Sequence, residues 1–206
     1  MSKCVILAGG EPDGFTLDSV KKGDYFICAD CGCEYARKLD IVPDLIVGDF
    51  DSYKGVLPGI SEIHRSVPEK DDTDTLLAVK MAIKRGFTEI DLYGALGGRT
   101  DHAIANVQTL LYAHENGCNM RIISSANELE VQGAGERSYE RRDGWYFSVF
   151  AAGGEVFIEC FTGVKYTLEN YRMTPAFPIG VSNEITENCA VLRIKSGTAL
   201  VVRSKM

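Results

Sequence analysis

Apolar residues in the first part of the chain fall in short runs that end at glycine or aspartate. Residues 5–8 stop at Gly9 and Gly10, residues 25–29 at Asp30, and residues 45–47 at Gly48 and Asp49. Residues 90–93 stop at Gly94, and residues 120–123 form a fifth run. Short runs of this kind, rich in β-branched residues, predict strands buried on both faces of a parallel sheet. Between them the spacing becomes helical. Residues 74–85 carry Leu76, Leu77, Val79, Met81 and Ile83, then Lys84, Arg85 and the stop signal Gly86. Residues 101–116 carry Ile104, Val107, Leu110 and Leu111, with Gly117 as the stop. Strand and helix alternating in this way predict an α/β domain with an open parallel sheet. Ligands bind such sheets beyond the carboxyl ends of the strands, where the glycine and aspartate turns fall.

Beyond residue 127 the texture changes. Residues 131–136 are turn-rich and no helical pattern follows. Short, partly alternating segments at 145–150, 155–161, 164–168, 189–194 and 199–203 are separated by Gly, Asn and Ser, which predicts an all-β domain. The expected division is residues 1–130 and 131–206, with no internal repeat.

Composition narrows the class. A chain of 206 residues makes one large domain or two small ones. Its 45% hydrophobic and 25% charged content excludes a disordered chain, a collagen-like fibre and a disulfide scaffold. Apolar stretches such as 147–152 fall far short of the ~18–20 residues of a membrane span. The first residues do not read as a signal peptide, so the expected location is the cytoplasm. With 22 basic and 29 acidic residues the net charge is -7, which argues against a nucleic-acid partner. Seven cysteines, an odd number, suggest reduced thiols. Cys28 and Cys31 match C-x-x-C, with Cys33 close by. A zinc site would need a second pair or histidines at ligand spacing, and neither is present. A redox pair would open a helix after a strand, and simple packing is the plainer role.

The chemistry lies in three turns. Asp49 and Asp51 are two residues apart, so in extended backbone both project the same way and can reach one metal ion; a polar turn is the bland alternative. Asp71, Asp72 and Asp74 surround Thr73 at a helix start. One of them would suffice as a cap, and three carboxylates in four residues repel one another unless a cation lies between them. Gly97, Gly98, Arg99, Thr100, Asp101 and His102 precede the next helix. There, glycines permit close approach to phosphate oxygens, helix amides point at them, and Arg99 offers a forked donor. Asp101 as a simple cap and His102 as a surface residue are the alternatives. Gly9 and Gly14 have Walker-loop spacing, but Phe15 stands where the phosphate-binding lysine belongs, so this is no P-loop. Carboxylates, an arginine and glycine loops together suit Mg2+-nucleotide chemistry.

The ordered set of motifs resembles the bacterial-type thiamine pyrophosphokinase family over essentially the whole chain. The matching segments are Gly48 to Ser52, Glu69 to Asp74, Gly97 to His102, Gly163 to Tyr166 and Val181 to Glu184. The resemblance implies transfer of the diphosphoryl group of ATP to the hydroxyethyl oxygen of thiamine, with release of AMP. It implies a Rossmann-like α/β domain, a C-terminal β-sandwich and a homodimer with sites between subunits. By the family pattern Asp49, Asp51, Asp71 and Asp74 are metal ligands. Asp30, Ser52, Arg99, Asp101 and His102 are placed at ATP, and Asp51, Asp71, Asp74 and Arg99 at the chemistry. Asp71 or Asp74 would orient or deprotonate the alcohol. Tyr166, where the family often has Trp, would stack on thiamine, with Ser182 and Asn183 at its aminopyrimidine. One departure is Cys31-Gly32 after Asp30, where the family commonly has a glycine pair.

Two other classes compete. A glycosyl- or nucleotidyltransferase would use Asp49 and Asp51 as a D-x-D metal site, but leaves Tyr166, Ser182 and Asn183 without a role. A nucleotide-sensing module would bind ATP without consuming it.

Overall fold

The structure is a computed structural model that describes residues 2–49, 61–65 and 71–206. The chain forms two compact units, Met1–Ser125 and Ala126–Met206.

Among the described residues the first unit has six parallel strands: β1 (Cys4–Leu7), β2 (Tyr25–Ala29), β3 (Leu45–Gly48), β4 (Glu62–Arg65), β5 (Glu89–Tyr93) and β6 (Asn119–Ile123). Their order is β6-β5-β1-β2-β3-β4. The chain therefore builds outward from β1 in one direction and then returns to lay β5 on its other side. β1 and β3 are buried at every position, as the unbroken apolar runs predict. β4 is an unpredicted addition. All four of its residues are exposed, so no apolar run marks this edge strand.

Among the described residues three α-helices pack on the sheet. α1 (Gly32–Lys38) buries Cys33 and Ala36 against Val5, Leu7, Phe26, Cys28 and Ile46 on one face. Alternate strand residues point the other way. α2 (Asp74–Lys84) lies against β1, β2 and β3 with Ala78, Val79 and Ala82 buried, and packs on α3 (Thr100–Glu115). Small residues at the contact bring α2 close to the strands. α3 departs from the expected stripe. It buries Asn106, Thr109, Leu110 and Ala113, while Ile104 is 58% exposed.

The second unit is antiparallel. It contains β7 (Asn127–Gln132), β8 (Gly135–Glu140), β9 (Trp145–Thr162), β10 (Leu168–Met173) and β11 (Cys189–Lys205). Segments expected as four strands are two long ones, β9 and β11, because Gly153, Gly154 and Gly197 lie inside strands rather than ending them. Residues 164–168 are mostly not strand; Val164 forms a single bridge to Ile185. The β9–β11 ladder shifts register between Arg193 and Thr198. One half of β11 pairs with β8 and the other with β7, so the ladder bends at these irregularities. Both halves close on one core holding Phe147, Val149, Ile158, Phe161, Leu192 and Val201.

No helix among the described residues is long and apolar enough to cross a membrane.

Candidate functional site

A cleft of about 340 Å³ opens at the carboxyl edge of the parallel sheet. Its floor is the end of β1 (Ala8, Gly9, Gly10) beside the end of β5 (Gly94, Ala95). The strand order reverses between these two strands, so their following segments diverge and leave a crevice. The backbones meet closely there. Gly10 N–H donates to the Gly94 carbonyl at 3.0 Å, and a Cβ on Gly10 would stand 2.5 Å from that oxygen. Any side chain at Gly10 would force the two turns apart.

The walls come from three other segments. Asp30 follows β2 with a left-handed backbone (φ 51°), a conformation few non-glycine residues adopt. Its amide is held by the Val47 carbonyl at 2.8 Å. Thr73, Asp74 and Thr75 bring the start of α2 to the cleft. Thr73 is the N-cap, its hydroxyl accepting from Leu76 N–H at 3.1 Å. Gly97, Gly98, Arg99, His102 and Asn106 bring the start of α3. Two helix N-termini thus face one crevice, a setting that favours anions.

Of the residues singled out from the sequence, Asp30, Asp74, Arg99 and His102 line this cleft. Asp49, after β3, does not line it, nor do Asp71 and Asp101. Asp51 and Ser52 lie outside the described residues. Asp72 is committed elsewhere: Lys80 Nζ donates to both its oxygens at 2.7 Å. Arg99 turns its fork on Asp101, with Nη2 at 2.6 Å and Nε at 3.2 Å. Those hydrogen bonds hold the Asp101 carboxyl below its ordinary range and raise the Arg99 guanidinium. Among the described residues, no three His, Cys, Asp or Glu side chains are grouped to hold a metal ion.

Asn106, Ala95 and Thr75 carry no mark in the sequence, and Thr73 stands within the Asp71 to Asp74 motif without a role of its own. Asn106 had one available signal. It stands four residues after His102, so both share a helix face.

The C-x-x-C thiols sit beside the cleft. Cys28 is buried in β2, and its hydrogen bond with Cys33, then burial, pushes it well above the ordinary thiol range. Cys31 is the N-cap residue of α1 and lies 3.6 Å from Asp30 Oδ1; burial first, then the Asp30 charge, raises it to about 11. These thiols stay protonated at neutral pH, which is the opposite of a reactive pair.

In the second unit Tyr166 is 61% exposed, and Lys165 Nζ lies 5.7 Å from its ring. Asn183 is buried, and its side chain grips backbone. Oδ1 accepts from Tyr166 N–H and Glu184 N–H, both at 2.9 Å, while Nδ2 donates to the Tyr166 carbonyl at 2.8 Å. Ser182 is exposed with φ 56°, and its N–H donates to Ser148 Oγ at 3.0 Å.

Two family models match the chain. Residues 17–122 match the thiamin pyrophosphokinase catalytic domain, and residues 137–201 match its vitamin B1 binding domain. The thiamine pyrophosphokinase of Bacillus subtilis is 26% identical over 211 residues, covering 98% of this chain and 99% of that protein. The crystal structure of a Bacillus subtilis thiamine pyrophosphokinase superposes with a TM-score of 0.90 at 25% identity, covering 100% of both chains. That of a thiamin pyrophosphokinase family protein from Enterococcus faecalis superposes with a TM-score of 0.86 at 27% identity, again covering 100% of both.

Proposed function

The chain belongs to the thiamin pyrophosphokinase family, and from that premise we propose that it transfers the diphosphoryl group of ATP to the hydroxyethyl oxygen of thiamine, giving thiamine diphosphate and AMP. In this reading the first unit is a Rossmann-like ATP- and Mg2+-binding domain and the second a thiamine-binding β-sandwich. The observation that carries the reading is the cleft at the reversal of strand order, where Arg99, two helix N-termini and the glycine turns converge. Donors of these kinds suit a polyphosphate, and such transfer depends mainly on positioning and charge neutralisation.

Asp30, Ser52, Arg99, Asp101 and His102 serve ATP. Arg99 exchanges its Asp101 partner for phosphate oxygens of the same charge sign. Asp49, Asp51, Asp71 and Asp74 are all carboxylate oxygen donors, the hard chemistry that Mg2+ takes. When bound, the ion neutralises phosphate charge. Asp71 or Asp74 orients or deprotonates the thiamine hydroxyl, assisted by Asp51 and Arg99. Tyr166 offers an aromatic face to the thiazolium cation, and Ser182 and Asn183 frame its pyrimidine. The active species is a cytoplasmic homodimer with sites completed between subunits.

The deciding experiment incubates the full chain with ATP, Mg2+ and thiamine and separates the products by chromatography. Thiamine diphosphate and AMP in equal amounts are expected. ATP bound but not consumed, or consumed without thiamine diphosphate, overturns the reading.

A further inference from the structure

Lys165 and Glu184 stand inside the two motifs of the second unit, Gly163 to Tyr166 and Val181 to Glu184, yet the proposed reaction gives neither a task. The structure ties these segments together. Val164 bridges to Ile185, Lys165 N–H donates to the Glu184 carbonyl at 2.9 Å, and Thr186 N–H donates to the Gly163 carbonyl at 3.0 Å. Asn183 Oδ1 accepts from the N–H groups of both Tyr166 and Glu184. The backbones that carry Lys165, Tyr166 and Glu184 are thereby fixed relative to one another.

Their side chains meet as well. Lys165 Nζ donates to Glu184 Oε1 at 2.9 Å and lies 5.7 Å from the centre of the Tyr166 ring. One ammonium thus touches a carboxylate and faces an aromatic ring, the two kinds of partner that attract an organic cation. The hydrogen bond to Glu184, and then the Glu184 charge, raise the Lys165 pKa, so the ammonium persists at neutral pH.

The two partners differ in freedom. Glu184 is half-buried, while Lys165 is exposed at the end of a flexible four-carbon stem. Ion pairs open to solvent contribute little, so the lysine leaves its carboxylate at small cost. The reading of Tyr166 as the stacking face brings a permanent cation, the thiazolium, to this same ring. Two cations at one ring and one carboxylate repel each other.

We propose that Glu184 is the specificity-determining counter-ion of the thiamine cation, and that Lys165 is a built-in competitor that holds the same carboxylate and ring until the substrate displaces it. The proposal rests on the stacking role of Tyr166. It makes the site select against an uncharged ring of thiamine's shape, because such a ring gives Glu184 no charge in exchange for the lysine.

The test compares the KM of thiamine with that of its uncharged thiophene isostere, in which carbon replaces the cationic ring nitrogen. Lys165→Met should lower the thiamine KM by about 3- to 10-fold, and Glu184→Gln should raise it by a similar factor, the range expected of solvent-exposed charge contacts. Lys165→Arg, which keeps the charge, should stay near the wild-type value. The KM of the isostere should move less than twofold in Glu184→Gln, about the scatter of such assays and far below a tenfold change of ~1.4 kcal/mol. A thiamine KM that is unchanged or raised in Lys165→Met overturns the proposal, as does a Glu184→Gln variant in which thiamine and the isostere shift together, the mark of a purely structural pair. Should Glu184→Gln not fold, Lys165→Met decides alone. Tyr166→Ala run alongside separates the two levels: a wild-type thiamine KM there removes the stacking reading and this proposal with it, whereas a raised KM there with no gain in Lys165→Met removes this proposal alone.

Discussion

Asn106, in the second turn of α3, donates its side-chain amide to the carbonyl of Ala95 at 2.8 Å, and both residues are buried. This bond fixes the turn that follows β5 to the helix that carries His102. The cleft wall therefore depends on a residue with no chemistry of its own. Asn106→Ala leaves the Ala95 carbonyl buried without a partner, at a cost of about 1–3 kcal/mol. The melting temperature should drop by several degrees. The KM for ATP should rise roughly tenfold, equivalent to ~1.4 kcal/mol. Steady-state kinetics and calorimetry check both, and an unchanged KM would remove Asn106 from the support of the site.

The carboxylates at the start of α2 divide between two tasks. Asp72 is held by Lys80 through both oxygens, whereas Asp74 lines the cleft. Asp72→Asn should leave kcat within about twofold and lower the melting temperature by a few degrees at most, since partly exposed ion pairs contribute little. Asp74→Asn should leave folding intact and reduce kcat by about 100-fold or more. Similar kinetics for the two variants would show that the Lys80 pair does not separate the roles.

Asn183 and Tyr166 make a comparable contrast in the second unit. Tyr166 is exposed and Asn183 is a buried clamp on its backbone. Tyr166→Ala should raise the thiamine KM with little change in melting temperature. Asn183→Ala should raise it as well, but with a loss of about 1–3 kcal/mol, because three backbone hydrogen bonds lose their partner. Thiamine titrations beside urea unfolding distinguish these outcomes. A Tyr166→Ala enzyme with wild-type KM would exclude stacking.

The parallel sheet was legible because short, largely apolar runs mark five of its strands, and Tyr25–Ala29 needed no adjustment at either end. Hydrophobic pattern could not reveal β4, Glu62–Arg65, which buries nothing. It also misled where glycine has two meanings. Gly153 and Gly197 have φ of 74° and 86°, values expected of turns, yet they sit where long antiparallel strands change course. β8, Gly135–Glu140, overlaps the turn-rich residues 131–136 only at its start, and the rest of its polar sequence, with Tyr139 as its one buried residue, carries no strand signal.

At the cleft, charge and glycine pointed to Asp74 and Arg99 because catalytic types stand out in sequence, and the family resemblance added Asp30 and His102. Asn106 and Thr73 did not stand out, since their contributions depend on hydrogen bonds to backbone that only the fold brings near. Asp72 was the opposite case. Its Lys80 partner is two helical turns away, and composition alone could not show that the pair removes it from the acidic set.

Cys31 gives the last test, on the alkaline side. Its thiol lies 3.6 Å from Asp30 Oδ1, and burial followed by the Asp30 charge raises its pKa from the ordinary 9.0 to about 11. The unfolded chain therefore loses this proton near pH 9, while the folded chain keeps it until about pH 11. Between those values the unfolded state binds fewer protons, so the stability this group contributes is present below pH 9 and is lost as pH rises. Cys118, raised to about 11 chiefly by burial, acts in the same direction. Urea unfolding across this window should show falling stability in the wild type and a shallower fall in Cys31→Ser. If the two profiles run parallel, the thiol is as accessible to ionisation in the folded chain as in the unfolded one, and Asp30 does not hold its proton in place.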